Sequence, residues 1–344
     1  MANEVKNVNT LTHSNMKNVD TLTDANIKEL NLLEFAGIGT GVWSASSAAL
    51  GTARSRFFSA CGTARTAMFV LGGVGTSYSG GSSGRLGSKE DYDGSGDSIS
   101  SGTAISGIIG GMCTGGSTTS ALTVGGTSTS NFNGQRNAYN WDDSSWSSVT
   151  NPSYIVGSSM YVAANTENNF LGIGGTVTGS CDMDDDRVES WNGSAWTKET
   201  VYTGSSLGPN GGSAGGTGES SAIITGGYST PGSGSCDRSA VNLTYSYDGS
   251  SWSALATSTT SHFASWASGR ADDFAYNHFD TGAAGATYLY DGAGDAWSSG
   301  GSNSNDRYAA NQSTGTTTID AAQFGGGDDS GYADAQTTIA LFDR

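Results

Sequence analysis

A six-residue phrase recurs along the chain at nearly even intervals, and it limits the available folds more than any other feature. It reads Tyr247-Asp248-Gly249-Ser250-Ser251-Trp252, then Trp191-Asn192-Gly193-Ser194-Ala195-Trp196, and in looser form Trp141-Asp142-Asp143-Ser144-Ser145-Trp146. Two copies are two residues longer, from Tyr290-Asp291-Gly292 to Trp297 and from Tyr92-Asp93-Gly94 to Ile99, where Ile stands in place of Trp. Asp-Gly between aromatic residues that favour a half-buried pleated surface predicts strand, tight turn, strand. The Asp or Asn of each hairpin falls at 93, 142, 192, 248, 291 and 343, in steps of 49, 50, 56, 43 and 52.

Within each unit a small-residue strand precedes a β-rich strand that ends in a glycine doublet. The doublets are Gly72-Gly73, Gly125-Gly126, Gly174-Gly175, Gly226-Gly227 and Gly325-Gly326, and the fifth unit has Phe279-Asp280-Thr281-Gly282 instead. Glycine there admits positive φ or the close approach of a neighbouring backbone. A repeat near 50 residues with four strands per unit predicts a propeller. The last unit stops at Leu341-Phe342-Asp343-Arg344 without a Trp-bearing strand, while Val42-Trp43-Ser44 stands alone ahead of the first complete unit. Val42 and Trp43 are therefore expected to pair with Leu341 and Phe342 and to close a ring of six blades, which would remove exposed sheet edges.

Composition agrees with many short strands and turns. Gly 53 is about twice ordinary usage, and 14% charged residues lies well below the usual quarter. Leu, Ile, Val and Phe together make up roughly 15%, which alone would indicate disorder. Eight Trp and fourteen Tyr, many regularly spaced, argue instead for a packed chain. A net charge of −17 opposes nucleic-acid and anionic-membrane surfaces. No stretch approaches the apolar length of a membrane span, and the start MANEVKNVNT has no apolar leader core.

Residues 1–36 have a different texture from 37–344. Lys6, Lys17 and Lys28 recur every eleven residues, with apolar positions at Val8 and Leu11, Val19 and Leu22, Leu30 and Leu33. Six such side chains cannot order the segment alone, so it is expected to dock on a partner or on copies of itself.

The Gly-Gly doublet followed by a Tyr/Trp pair resembles kelch-repeat propellers, the group that includes the central domain of galactose oxidase. The wording YDGSSW and WNGSAW is similar to kelch-like proteins of tailed bacteriophages, and the K-x-[VL]-[ND]-T-L repeats resemble those that begin many phage tail-fibre and virion proteins. The resemblance implies an all-β, six-bladed kelch-like propeller behind an anchoring or oligomerising segment. It implies a virion protein, of the tail-fibre, adhesin or decoration type, made in the host cytoplasm and acting outside it. Expected partners are other virion proteins through residues 1–36, further copies of the chain in the particle, and a host-surface glycan or protein.

Two rival classes are weighed against this reading. A galactose-oxidase-like copper enzyme would need two His and Tyr ligands, and outside the leading repeats only His262 and His278 remain, both in one unit. No HExxH, GxSxG or phosphate-loop pattern occurs, so no catalytic residue and no cofactor is assigned. A secreted carbohydrate-binding adhesin would be expected to carry a leader. Asp182, Asp184 and Asp186 alternate as Ca²⁺ ligands can, but the loop lacks the Gly and distal Glu of an EF-hand, and a solvated acidic loop explains it better. Cys181 and Cys236 lie at matching loop positions of neighbouring units, where a disulfide is one alternative and two free thiols the other. Cys61 and Cys113, on first strands, are expected to be buried as small apolar groups.

Overall fold

The computed structural model describes residues 41–64, 66–75, 84–106, 109–127, 135–153, 155, 160–174, 187–201, 208–229, 239–261, 263–279, 285–303, 313–314, 321–325 and 335–343. The chain divides into two units between Gly39 and Thr40, and every described residue belongs to the second. The expected anchoring residues Val8, Leu11, Val19, Leu22, Leu30 and Leu33 lie outside the described residues, as do Asp182, Asp184, Asp186, Cys181, Cys236 and His262.

The described residues form strands and turns, with no helix among them. The first unit contributes β1 (Val42–Ala64), β2 (Ala67–Val74), β3 (Lys89–Asp93) and β4 (Ser98–Ser101); the second β5 (Ile109–Gly116), β6 (Ala121–Thr127), β7 (Ala138–Trp141) and β8 (Trp146–Val149). The third holds β9 (Tyr161–Thr166), β10 (Asn169–Ile173), β11 (Val188–Trp191) and β12 (Trp196–Lys198). The fourth holds β13 (Gly208–Gly218), β14 (Ser221–Ser229), β15 (Ser239–Ala240), β16 (Thr244–Tyr247) and β17 (Trp252–Ala254). The fifth holds β18 (Phe263–Arg270), β19 (Asp273–Phe279), β20 (Thr287–Asp291) and β21 (Ala296–Ser299), and the chain finishes with β22 (Ser313–Thr314), β23 (Ala321–Phe324) and β24 (Gln336–Asp343). The second to fifth units are antiparallel sheets of four or five strands, whereas the first and last share one seven-stranded sheet.

That sharing is the work of β1. Its first half runs antiparallel to β24, with Val42 opposite Asp343, Trp43 opposite Phe342 and Ser44 opposite Leu341. Its second half runs antiparallel to β2, from Ser55 opposite Val74 to Ala64 opposite Ala67. Between them the ladder shifts register, and the crossover is held by side chains. Arg54, wholly buried, donates to Gly72 O at 2.6 Å, Ser88 O at 3.2 Å and Glu90 Oε1 at 2.5 Å. Glu90 accepts in turn from the backbone N–H of Gly51 at 2.6 Å and of Thr52 at 3.2 Å. Burial pulls the Arg54 guanidinium down from its ordinary value, and the Glu90 bond works against that. In the third sheet Glu189 occupies the same strand position and accepts from Ser153 N at 3.2 Å and Ile155 N at 2.9 Å. In the last unit β22 also lies parallel to β1, Ala60 opposite Ser313.

The glycine doublet leads the chain off the second strand while keeping one more rung. Gly72 and Gly73 have φ of 78° and 100°, and the Gly72 N–H reaches Ser88 O at 3.1 Å, just before β3. Gly125, Gly174, Gly226 and Gly325 make the matching bond to Asn137, Arg187, Leu243 and Thr338.

The short hairpins are four-residue loops rather than two-residue turns. Asp142 Oδ1 accepts from Ser144 N at 3.0 Å and Ser145 N at 2.8 Å, and Asn192 and Asp248 do the same. Asp143 takes the left-handed place that Gly193 and Gly249 hold elsewhere. These bonds, led by the Ser144 hydroxyl, hold the Asp142 carboxyl down at about 2. Four hairpins pair two aromatic rings across their strands: Trp141 with Trp146 at 5.2 Å, Trp191 with Trp196 at 5.3 Å, Tyr247 with Trp252 at 4.9 Å and Tyr290 with Trp297 at 5.1 Å. Trp43 and Phe342 form the equivalent pair at 5.1 Å, although the two residues come from opposite ends of the chain.

The same indoles join neighbouring sheets. Trp146 Nε1 donates to Thr103 O at 2.9 Å, Trp196 to Thr150 O at 2.6 Å, Trp252 to Thr200 O at 2.8 Å and Trp297 to Ala256 O at 2.9 Å. Each acceptor lies on the connection leaving the preceding sheet. Trp43 donates instead to Thr287 Oγ1 at 2.6 Å. Ile99 has no such donor, and Asp97 serves its sheet by accepting from Ser47 N at 2.7 Å, from the Ser46 hydroxyl and from Tyr92 OH at 3.0 Å. Asp295 repeats the device, accepting from Tyr290 OH and Ala256 N, each at 2.8 Å.

The crossover yields a prediction. Glu90→Ala strands the buried Arg54 charge and should cost about 3–5 kcal/mol. Glu189→Ala removes the acceptor of the Ser153 and Ile155 N–H groups and should cost about 1–3 kcal/mol. Urea unfolding followed by Trp fluorescence compares the two, and equal losses would show that Arg54 and Glu90 do not act as a pair.

Candidate functional site

Alternation along β3 sends Lys89, Asp91 and Asp93 to the side facing the second sheet, and Glu90 and Tyr92 to the other. In the later sheets the position of Lys89 is held by Ala138, Val188, Thr244 and Thr287, and that of Asp91 by Asn140, Ser190, Ser246 and Leu289. The first sheet alone in this series places an ion pair on that face.

Lys89 is 2% exposed. Its ammonium lies 4.6 Å from the Phe69 ring centre and 4.3 Å from that of Trp141, which belongs to the second sheet. It donates to Asp91 Oδ1. Trp141 is fixed by its own Nε1–H, which donates to Thr118 O at 2.7 Å. Two ring faces and a carboxylate thus replace the water that a buried ammonium gives up.

Above this floor a crevice of about 570 Å³ opens between the first two sheets. Asp91, Asp93 and Ser100 form one wall, Thr118 and Asp143 the other, and Thr103 lies on the connection between them. The hydroxyls both donate and accept, and the carboxylates accept only. Three carboxylates against one ammonium make the lining net negative. Such a lining can hold a small hydroxyl-bearing molecule; it presents no nucleophile paired with a base.

Several sequence-derived candidates lie elsewhere. Val42 and Trp43 stand opposite Asp343 and Phe342 on paired strands, away from the crevice. Cys61 is buried, and burial raises its thiol well above the ordinary value. Cys113 is part-buried, and both are free thiols. Among the described residues no group of three or more His, Cys, Asp and Glu side chains is placed to hold a metal ion. The crevice itself escapes a sequence reading, because Lys89 and Asp91 precede a hairpin and resemble an ordinary solvated Lys-Glu-Asp run. The available signal was the contrast with Ala138, Val188, Thr244 and Thr287 at the matching places.

The ion pair gives a second prediction. Asp91→Ala leaves the Lys89 ammonium without its carboxylate and should cost about 1–3 kcal/mol, at the lower end of buried pairs because Asp91 is partly open to water. Lys89→Met keeps the stem between the rings and should fall within about 1 kcal/mol of the parent. Urea midpoints decide the matter, and a larger loss for Lys89→Met would mean that the charge itself holds the sheets together.

No family model matches the chain, and no curated protein matches its sequence. Among solved structures, that of YjhT superposes with a TM-score of 0.62 at 12% identity, covering 85% of this chain and 96% of that one. Matching chains number 220, so the architecture by itself assigns no activity. With its separate four-stranded antiparallel sheets, the chain has a β-propeller-like, all-β fold.

Proposed function

We propose that this chain is a non-catalytic structural protein of a tailed-phage particle, with a six-bladed propeller that mediates attachment to the host surface. Residues 1–36 anchor it to other virion proteins or to further copies of itself, and the propeller is displayed outward. Six hairpin positions in the sequence and six sets of strands in the sheets support the blade count. The single observation that carries the reading is the double role of β1, which lies beside β24 in its first half and beside β2 in its second. A ring closed by such a strand holds together without the leading repeats, leaving them available for docking. The resemblance of those repeats to the beginnings of phage tail-fibre proteins supports the particle assignment. The acidic, Gly/Ser-rich composition suits a protein exposed outside a cell.

The test is deletion of residues 1–36. The shortened protein should remain soluble, show the same thermal transition as the full chain and fail to enter particles assembled with it in place of the parent. Normal incorporation of the shortened protein would refute the anchor.

A further inference from the structure

We propose that the crevice between the first and second sheets binds a neutral or amino-bearing saccharide unit. This deepens the attachment reading and rests on it for the surface on which the saccharide is met. Three observations converge on the site.

The first is its placement. At the positions matching Lys89 and Asp91, the second to fifth sheets carry uncharged residues, from Ala138 and Val188 to Asn140 and Ser190. Burying an ion pair is no gain over apolar packing, so the fold gives no reason for charge here while Ala138 or Val188 serves the same position elsewhere.

The second is size. A volume of about 570 Å³ lies within the range of small-ligand pockets and admits one or two sugar rings. Gly102 packs directly against the ion pair that floors it: a Cβ there would come within 2.9 Å of Lys89 Cγ and closer still to Asp91 Oδ2.

The third is chemistry. Asp91, Asp93 and Asp143 offer paired acceptors for vicinal hydroxyls, and Ser100, Thr103 and Thr118 add groups that give or take a proton. Trp141 is 3% exposed and beneath Lys89, so recognition is polar rather than by stacking on an open ring. The excess of carboxylates repels sulfated, phosphorylated and carboxylated sugars and favours a free amine.

The experiment titrates the purified full chain with glucosamine, N-acetylglucosamine and N-acetylneuraminate, observed by ligand saturation-transfer NMR, with a lysine-rich peptide as competitor. Glucosamine and N-acetylglucosamine should bind in the millimolar range, and N-acetylneuraminate should give no signal. Ser100→Trp fills the crevice from an exposed strand position and should abolish both signals with an unchanged melting temperature. Asp143→Gly suits the positive φ at that site, so it tests the proposal even where Ser100→Trp fails to fold; it should weaken glucosamine by roughly tenfold and N-acetylglucosamine less. Binding unaffected by either variant, equal binding of N-acetylneuraminate, absence of saccharide binding, or full displacement by the peptide would each overturn the proposal. None of these results bears on particle incorporation, so failure here is distinct from failure of the anchor.

Discussion

The buried pair of Arg54 and Glu90 is the interaction on which the rest of the architecture depends. β1 passes from the β24 ladder to the β2 ladder at Arg54 and Ser55, and just before that point its register with β24 shifts between Ala49 and Arg54. In that interval Glu90 accepts from the N–H groups of Gly51 and Thr52, and Arg54 ties the crossover to Gly72 and Ser88. Backbone N–H groups without a strand partner need another acceptor, and Glu90 supplies it while holding the buried Arg54. Glu189 treats an ordinary connection between sheets in the same manner, accepting from the N–H groups of Ser153 and Ile155.

The hairpins solve a second problem, the joining of neighbouring sheets at their outer edges. An indole placed at the start of each outer strand gives one ring to its own sheet and one N–H to the connection of the sheet before it. Where Ile99 breaks the series, Asp97 reaches across to Ser46 and Ser47. The cost of that carboxylate is offset by the four protons it accepts, and the hydroxyl and amide bonds from Ser46 and Ser47 hold its own proton affinity far below the usual carboxylate range. The first sheet thus carries an aspartate latch toward one neighbour, as the fifth does through Asp295, and the Lys89–Asp91 crevice toward the other.

Much of this was legible in the sequence because it repeats. The aromatic Asx-Gly phrase, the glycine doublets and the isolated Trp43 all state a rule several times, and Trp43 stands opposite Phe342 as the repeat requires. What occurs once was not legible. Arg54 and Glu90 are thirty-six positions apart, and nothing in the chain repeats their relation. Lys89 reads as a surface lysine because its burial is created by Trp141, a residue of another sheet. Turn detail was likewise hidden: Asp-Gly suggested two-residue turns, whereas the serine hydroxyls and amides that follow make a four-residue loop capped by the Asx side chain. The two longer hairpins place positive φ on Asp97 and Asp295 rather than on their glycines, since those aspartates must turn toward the adjacent sheet.

Amide hydrogen exchange along β1 tests the central claim, that one strand joins the first and last sheets into a single cooperative structure. Exchange in its first half, opposite β24, and in its second half, opposite β2, should require the same global opening, and both halves should lose protection together as urea is added. Rapid exchange of residues 42–50 in a protein whose residues 59–64 remain fully protected would show that the two sheets open separately, and would contradict the account.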